Sequence, residues 1–135
     1  METGIHIVAT PIGNLDDISL RAINTLRECD FIICENPKHS LKLLNKLGIK
    51  KKLISLHDYN ENLVIQRLSD ELFIKKIVLI SDAGSPLISD PGYKLLKRIR
   101  KSRHNIFSLP GPCSAIASLI ISGLKTDKFC FLGFL

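Results

Sequence analysis

Five short apolar runs recur along the chain, each followed by a stretch of helical period. This alternation restricts the architecture more than any other feature. The runs are "IHIVAT" (5–10), "FIICE" (31–35), "KLISL" (52–56), "KIVLIS" (76–81) and "NIFSL" (105–109). Runs without a polar face read as strands buried on both sides. Strand–helix alternation at this spacing builds right-handed βαβ units. The expected fold class is therefore α/β, a mostly parallel five-stranded sheet flanked by helices.

The intervening stretches carry helical stripes. "DDISLRAINTLREC" places Ile18, Ala22, Ile23 and Leu26 on one face, with Asp16 as N-cap. "HSLKLLNKLGI" places Leu41, Leu44 and Leu47 together and stops at Gly48. "NENLVIQRLSDELF" carries Leu63, Leu68 and Leu72, and "PGYKLLKRIRKS" turns Leu95, Leu96 and Ile99 inward. Asp90 before Pro91 reads as an N-cap followed by proline at the first helical position, and Pro112 starts a helix in the same way. That last helix, "GPCSAIASLIISG", is apolar nearly all round and is expected to be buried. The tail "DKFCFLGFL" reads as a strand with nothing after it, as at a cut between domains or under a covering partner.

A chain of 135 residues with 45% hydrophobic and 24% charged side chains suffices for one domain with a core. No apolar run approaches the ~18–20 residues that span a bilayer, and the start lacks the pattern of a signal peptide. Four cysteines without a CxxC pair read as free thiols in a reducing cytoplasm rather than as a metal or redox site, and no metal constellation stands out. The net charge of +6 concentrates at Lys50–Lys52 and Lys97–His104. Those runs fit either a solvated helix face plus a loop or contacts to nucleic-acid phosphate. No aromatic residues interleave with them to stack bases.

Three Pro/Gly clusters follow the first, fourth and fifth expected strands: "TPIGNL" (10–15), "SDAGSPLISDPG" (81–92) and "LPGPCSA" (109–115). In open α/β sheets ligands bind beyond the carboxyl ends of strands, so these loops are expected to share one rim. None matches GxGxxG or GxxxxGK[ST], and none holds a lysine or arginine. They offer glycine for close approach, Ser and Asp for polar contacts, and bare backbone groups. That chemistry suits a zwitterionic ligand with an adenosine part better than a polyphosphate.

"VATPIGNLDDISLRAINTL", "SDAGSPLISDPGYKLL" and "LPGPCSAIASLIISGLKTDKFCFLGFL" resemble, in this order, the N-terminal half of the tetrapyrrole-methylase superfamily, and most closely its ribosomal branch. The resemblance implies methyl transfer from S-adenosylmethionine to a ribose 2′-hydroxyl of a cytidine in 16S rRNA within the 30S subunit, by a cytoplasmic homodimer in full-length form, with no membrane partner. It implies that Pro11, Ala83, Gly84, Ser85, Ile88, Ser114 and Ala115 contact the cofactor. Ser85 stands where tetrapyrrole-modifying branches carry Asp, which points away from a corrin or sirohaem substrate. The family's chain is about twice as long. Residues 1–124 are thus expected to form the N-terminal α/β domain and 125–135 the link to an absent C-terminal domain, the 135 residues alone being inactive.

A ribose hydroxyl is a weak nucleophile, so a base should take its proton. Glu35 and Asp82, directly after strands on the expected rim, lead the candidates, ahead of His39 and His57. Each has a bland role open to it as a cap, loop bond or surface turn. Lys38, His39 and Lys51 are the expected RNA contacts. The branch usually reads Glu-Asp-Thr-Arg-His-Ser after the second strand, whereas this chain reads "ENPKHS", with a carboxylate lost at Asn36 and lysine in place of arginine at Lys38. Two other readings remain open: a branch that methylates a tetrapyrrole or a modified protein residue, and a non-catalytic RNA-binding module.

Overall fold

The structure, a computed structural model, describes residues 1–68, 71 and 74–134. Five strands, β1 (Gly4–Val8), β2 (Phe31–Cys34), β3 (Lys52–Ser55), β4 (Lys76–Ile80) and β5 (Ile106–Leu109), form one sheet in the order β3-β2-β4-β1-β5. Every pairing is parallel, as the alternation requires. The helices are α1 (Leu20–Glu28), α2 (Pro37–Lys46), α3 (Glu61–Leu68), α4 (Tyr93–Lys101) and α5 (Ser114–Ile121).

The chain steps one way along the sheet from β1 through β2 to β3, then the other way through β4 to β5. Right-handed crossovers therefore place α1 and α2 on one face and α3 and α4 on the other. The core divides accordingly. Ile5, Ile33, Ile77 and Leu79 pack with Val64 and Leu68 of α3 and Leu95 and Ile99 of α4. Val8, Ile32, Val78 and Ile80 pack with Ala22 and Leu26 of α1 and Leu44 of α2. Strand residues alternate between the two clusters, so a run apolar at every position is what a sheet covered on both sides needs.

Several local expectations are corrected. The N-cap of α1 is Ser19, whose side chain accepts from Ala22 N; Asp16 lies in a preceding 3-10 turn (Leu15–Asp17) capped by Asn14. In α2 the buried positions are Ser40, Leu43 and Leu44, and Leu41 is exposed; in α3 they are Glu61, Val64 and Leu68, and Leu63 is exposed. A stripe of leucines at helical spacing left the phase of the face open by one residue. Leu72 lies outside the described residues. Asp90 and Pro91 do not start α4, which begins after Gly92, a residue with no side chain to cap it; Pro112 does not start α5, which begins at Ser114.

The largest difference is at the end. α5 has no buried residue, with Ile120 70% and Ile121 85% exposed. Residues 127–134 form no strand and pair with neither edge strand, β3 or β5, of the sheet. Phe129, Phe131, Leu132 and Phe134 are all exposed. Of the four free cysteines, Cys29 and Cys34 are buried, and burial pushes the Cys29 thiol up to about 11. Among the described residues no group of His, Cys, Asp and Glu could hold a metal ion, and no helix is long and apolar enough to cross a membrane.

Candidate functional site

The connections leaving β4 and those leaving its two neighbours, β1 and β2, cross opposite faces of the sheet. The carboxyl end of β4 is thus a topological switch point, the place where open α/β sheets leave a crevice. The loop that occupies it is "SDAGSPLISDPG". A chain makes such a loop because Gly84, at φ +80°, turns where other residues rarely do, while Leu87 (φ 73°) and Ser89 (φ 63°) adopt the same left-handed region without being glycine.

Backbone and hydroxyl bonds join three loops at this point. Thr10 and Gly84 exchange both backbone hydrogen bonds, at 2.9 and 3.0 Å, in an isolated antiparallel bridge. The Thr10 hydroxyl donates to Ser81 O at 3.2 Å, and the Ser81 hydroxyl donates to Gly84 O at 3.0 Å. The Ser85 hydroxyl donates to Pro112 O at 3.2 Å, tying the loop after β4 to the loop after β5. The convergence expected from the three Pro/Gly clusters is what the structure has.

Two cavities flank this junction and meet at Ala83. The first, about 260 Å³, is bordered by Pro11, Gly13, His39, Ser81 and Asp82. The second, about 180 Å³, is bordered by Gly84, Ser85, Ile88, Ser114, Ala115 and Phe131. Each alone is below the roughly 300–1,000 Å³ of a small-molecule site, so a larger ligand would span both. Of the sequence-derived cofactor residues, Pro11 borders the first cavity, Gly84, Ser85, Ile88, Ser114 and Ala115 the second, and Ala83 both. Cys113, the N-cap of α5, also borders the second cavity, and it offers no side-chain cap to the first-turn N–H groups.

The electrostatics of the rim are acidic. Partial burial, then the charges of Asp82, Asp90 and Asp58, hold the Glu35 carboxyl above its ordinary value. Burial and the Asp82 charge raise Asp90, against a hydrogen bond from Ser81 that lowers it. Asp82 itself accepts from the backbone N–H of Asn36 at 3.2 Å, so it also braces the start of α2. Asp90 is the member that sequence reasoning missed as a site group. Its place before Pro91 suggested a cap, and only the folded loop brings it beside Asp82.

The "ENPKHS" departure has a local explanation. Asn36 is the N-cap of α2, its side chain accepting from Lys38 N and His39 N at 3.1 and 3.4 Å, and Pro37 occupies the first turn. Asn caps as well as Asp, and proline is favoured at that position, so the run starts its helix well. His39 borders the first cavity and Lys38 is exposed beside it. Lys51 is elsewhere. It precedes β3 at the amino end of the sheet, the opposite rim, and its ammonium donates to Cys29 O at 2.6 Å.

A pH prediction follows from Glu35. The folded chain holds this proton more tightly than the unfolded chain does. The associated stabilisation is fully present below the ordinary glutamate value of about 4.3 and is lost as pH rises through the higher folded value. Glu35→Gln is therefore expected to melt above the wild type at pH 7–8, the gap closing as pH falls toward 4, about where the wild-type carboxyl is protonated in both states. Melting curves across that range check it; a gap independent of pH would exclude the electrostatic origin.

An open α/β sheet with three cross-bonded loops at a switch point has the layout of a small-molecule-binding domain. The model of the tetrapyrrole (corrin/porphyrin) methylases matches residues 4–130, and the chain belongs to that family. Among its relatives, ribosomal RNA small subunit methyltransferase I of Haemophilus influenzae is 48% identical over 98% of this chain and 48% of its own length. The protein of that name from Rickettsia prowazekii is 46% identical over 100% of this chain and 49% of its own. The chain thus spans about half the length of the curated relatives it matches. Among solved structures, a diphthine synthase superposes with a TM-score of 0.65 at 17% identity, over 85% of this chain and 47% of that one. Uroporphyrin-III-C-methyltransferase from Thermus thermophilus gives 0.63 at 19%, over 93% and 55%. At these identities the likeness is one of fold.

Proposed function

We propose that this chain carries the cofactor-binding loops of an S-adenosylmethionine-dependent methyltransferase that modifies a ribose 2′-hydroxyl of a cytidine in 16S rRNA, on the 30S subunit in the cytoplasm. The observation that carries this reading is the 48% identity, across 98% of the chain, to a protein named ribosomal RNA small subunit methyltransferase I.

The residues at the rim fit the cofactor. When bound, S-adenosylmethionine supplies a methyl group on a positively charged sulfonium. The acidic set of Glu35, Asp82 and Asp90 favours a ligand of net positive charge, and the uncapped start of α5 favours its carboxylate end. Pro11, Ala83, Gly84, Ile88, Ser114 and Ala115 form the contact surface. The Ser85 hydroxyl is already used on Pro112 O, so Ser85 holds the second cavity in shape.

Much of the acceleration of an in-line displacement comes from aligning its three atoms, which is the work of loops fixed to one another by hydrogen bonds. Glu35 is the general base of choice. Its raised pKa brings it closer to operating pH than an ordinary carboxylate, and unlike Asp82 its carboxylate is not used to brace a helix start. Asp82 supports it by charge. His39, which borders the first cavity, and Lys38, its exposed neighbour in the chain, contact RNA; Lys51, on the far rim, is outside this set.

The exposed apolar residues of α5 and the tail support the second domain that the resemblance implies, and a homodimer of the whole protein. Calorimetry with S-adenosylmethionine on the protein at its natural length, followed by methyl transfer to 30S subunits, tests the reading. Binding with transfer to a ribose 2′-oxygen is expected. Transfer only to a tetrapyrrole or to protein would assign another branch. No cofactor binding at all would leave a non-catalytic module.

A further inference from the structure

We propose that the outer face of α4 is a docking surface for the RNA sugar–phosphate backbone, leading to the cleft past Tyr93. This rests on the reading of the chain as an RNA methyltransferase but concerns a surface outside the cleft.

α4 contains five cations and no acidic residue in nine positions. Lys94, Lys97, Arg98 and Lys101 stand at i, i+3, i+4 and i+7, which places them in one stripe about 10 Å long, opposite the buried Leu95 and Ile99. All four are exposed. The ion pairs among the described residues, Met1–Glu28 and Lys46–Asp16, involve none of them.

Helix stability does not account for this pattern. Cations in the last turn complement the helix dipole, which covers Arg98, Arg100 and Lys101. Lys94 in the first turn opposes it, although this end is capped from α3 by the Glu61 carboxylate, which accepts from Leu95 N at 2.7 Å. Lys94 with Arg98, and Lys97 with Lys101, are like-charge pairs at i, i+4, which weaken a helix. A cationic row with no ion pair among the described residues, working against its own helix, is complementary to a polyanion laid along it.

The direction is also suitable. α4 starts where the loop after β4 ends, and Ile88 and Ser89 of that loop border the second cavity. The stripe therefore begins at the rim of the cleft and runs down the side of the domain. At its rim end Tyr93 is 69% exposed, with Lys97 Nζ 5.6 Å from its ring centroid. An exposed aromatic ring beside a cationic row is a place for an unpaired base to stack.

The test combines Lys94→Gln, Lys97→Gln, Arg98→Gln and Lys101→Gln in the protein at its natural length. Binding to a 16S rRNA transcript is measured by anisotropy across a salt series, beside cofactor calorimetry and methyl transfer to 30S subunits. The expected result is at least tenfold weaker RNA binding and a log–log salt slope shallower by about 3, from four contacts at about 0.7–0.9 each, with cofactor affinity kept and a melting temperature no lower than the wild type's. RNA affinity and slope equal to the wild type, in a protein that methylates 30S subunits, overturn the docking surface alone. Loss of binding to anionic phospholipid vesicles with RNA binding intact also overturns it, in favour of a membrane surface. A wild-type protein that neither binds the transcript nor methylates subunits overturns the functional reading, and the docking surface with it.

Discussion

Glu61→Ala is expected to lower the unfolding free energy by about 2–4 kcal/mol, among the largest effects of any single polar substitution in the chain. Glu61 is 3% exposed, yet its carboxylate takes part in no ion pair among the described residues. It accepts from Leu95 N at 2.7 Å, in the first turn of α4, while itself sitting in the first turn of α3. One buried charge thus lies between two helix starts and supplies the cap that Gly92 cannot. Burying a carboxylate is costly, so the bond must be strong enough to offset it. A short charge-assisted bond aided by two helix dipoles meets that need. Alanine leaves the Leu95 N–H buried without a partner and opens a small cavity. Glu61→Gln keeps an acceptor and is expected to cost about 1 kcal/mol. Denaturant titrations at unchanged m-value measure both. Glu61→Leu separates charge from volume: if leucine matched the wild type, the capping role would be wrong.

Glu61 also marks where the sequence is hard to read. A glutamate opening a helix suggests a solvated first turn, and nothing in "NENLVIQRL" shows that α4 will cover it. The strands were legible because burial on both faces writes itself as unbroken apolar runs. The rim loops were legible because Gly and Pro at strand ends break every regular alternative. The phase of the helix faces was not, since Leu41 and Leu43, or Leu63 and Val64, look alike until the crossover direction chooses between them. Nor was the rim of a charged residue. Lys38 follows a strand and Lys51 precedes one, and that single difference in chain direction puts them at opposite ends of the sheet. α5 was misread for a different reason. Apolarity all round states that a helix seeks cover, and only the surroundings determine whether these residues provide it.

Gly84→Val is expected to weaken S-adenosylmethionine binding at least tenfold and to cost about 3 kcal/mol of stability, with Gly84→Ala at about 1–2 kcal/mol. Two effects add at this position. The φ of +80° disfavours any Cβ, and a β-branched side chain most of all. A Cβ would also stand 3.3 Å from Ile12 Cγ2 and 3.5 Å from Pro112 O, the very loops that Gly84 holds together. Ile12 is 37% exposed and can shift for a methyl group, whereas two further methyls would have to displace the Pro112 carbonyl that accepts from Ser85. The loops after β1 and β5 would then separate, and both cavities change shape together. Gly13→Ala is the matched control. No atom beyond its chain neighbours lies within 4 Å of its Cβ position, so its stability is expected to be within about 0.5 kcal/mol of the wild type in either direction. Calorimetry on both variants decides the matter. If valine at 84 left cofactor affinity intact, the junction of the three loops would be a feature of the fold alone, and the ligand would have to bind elsewhere on the rim.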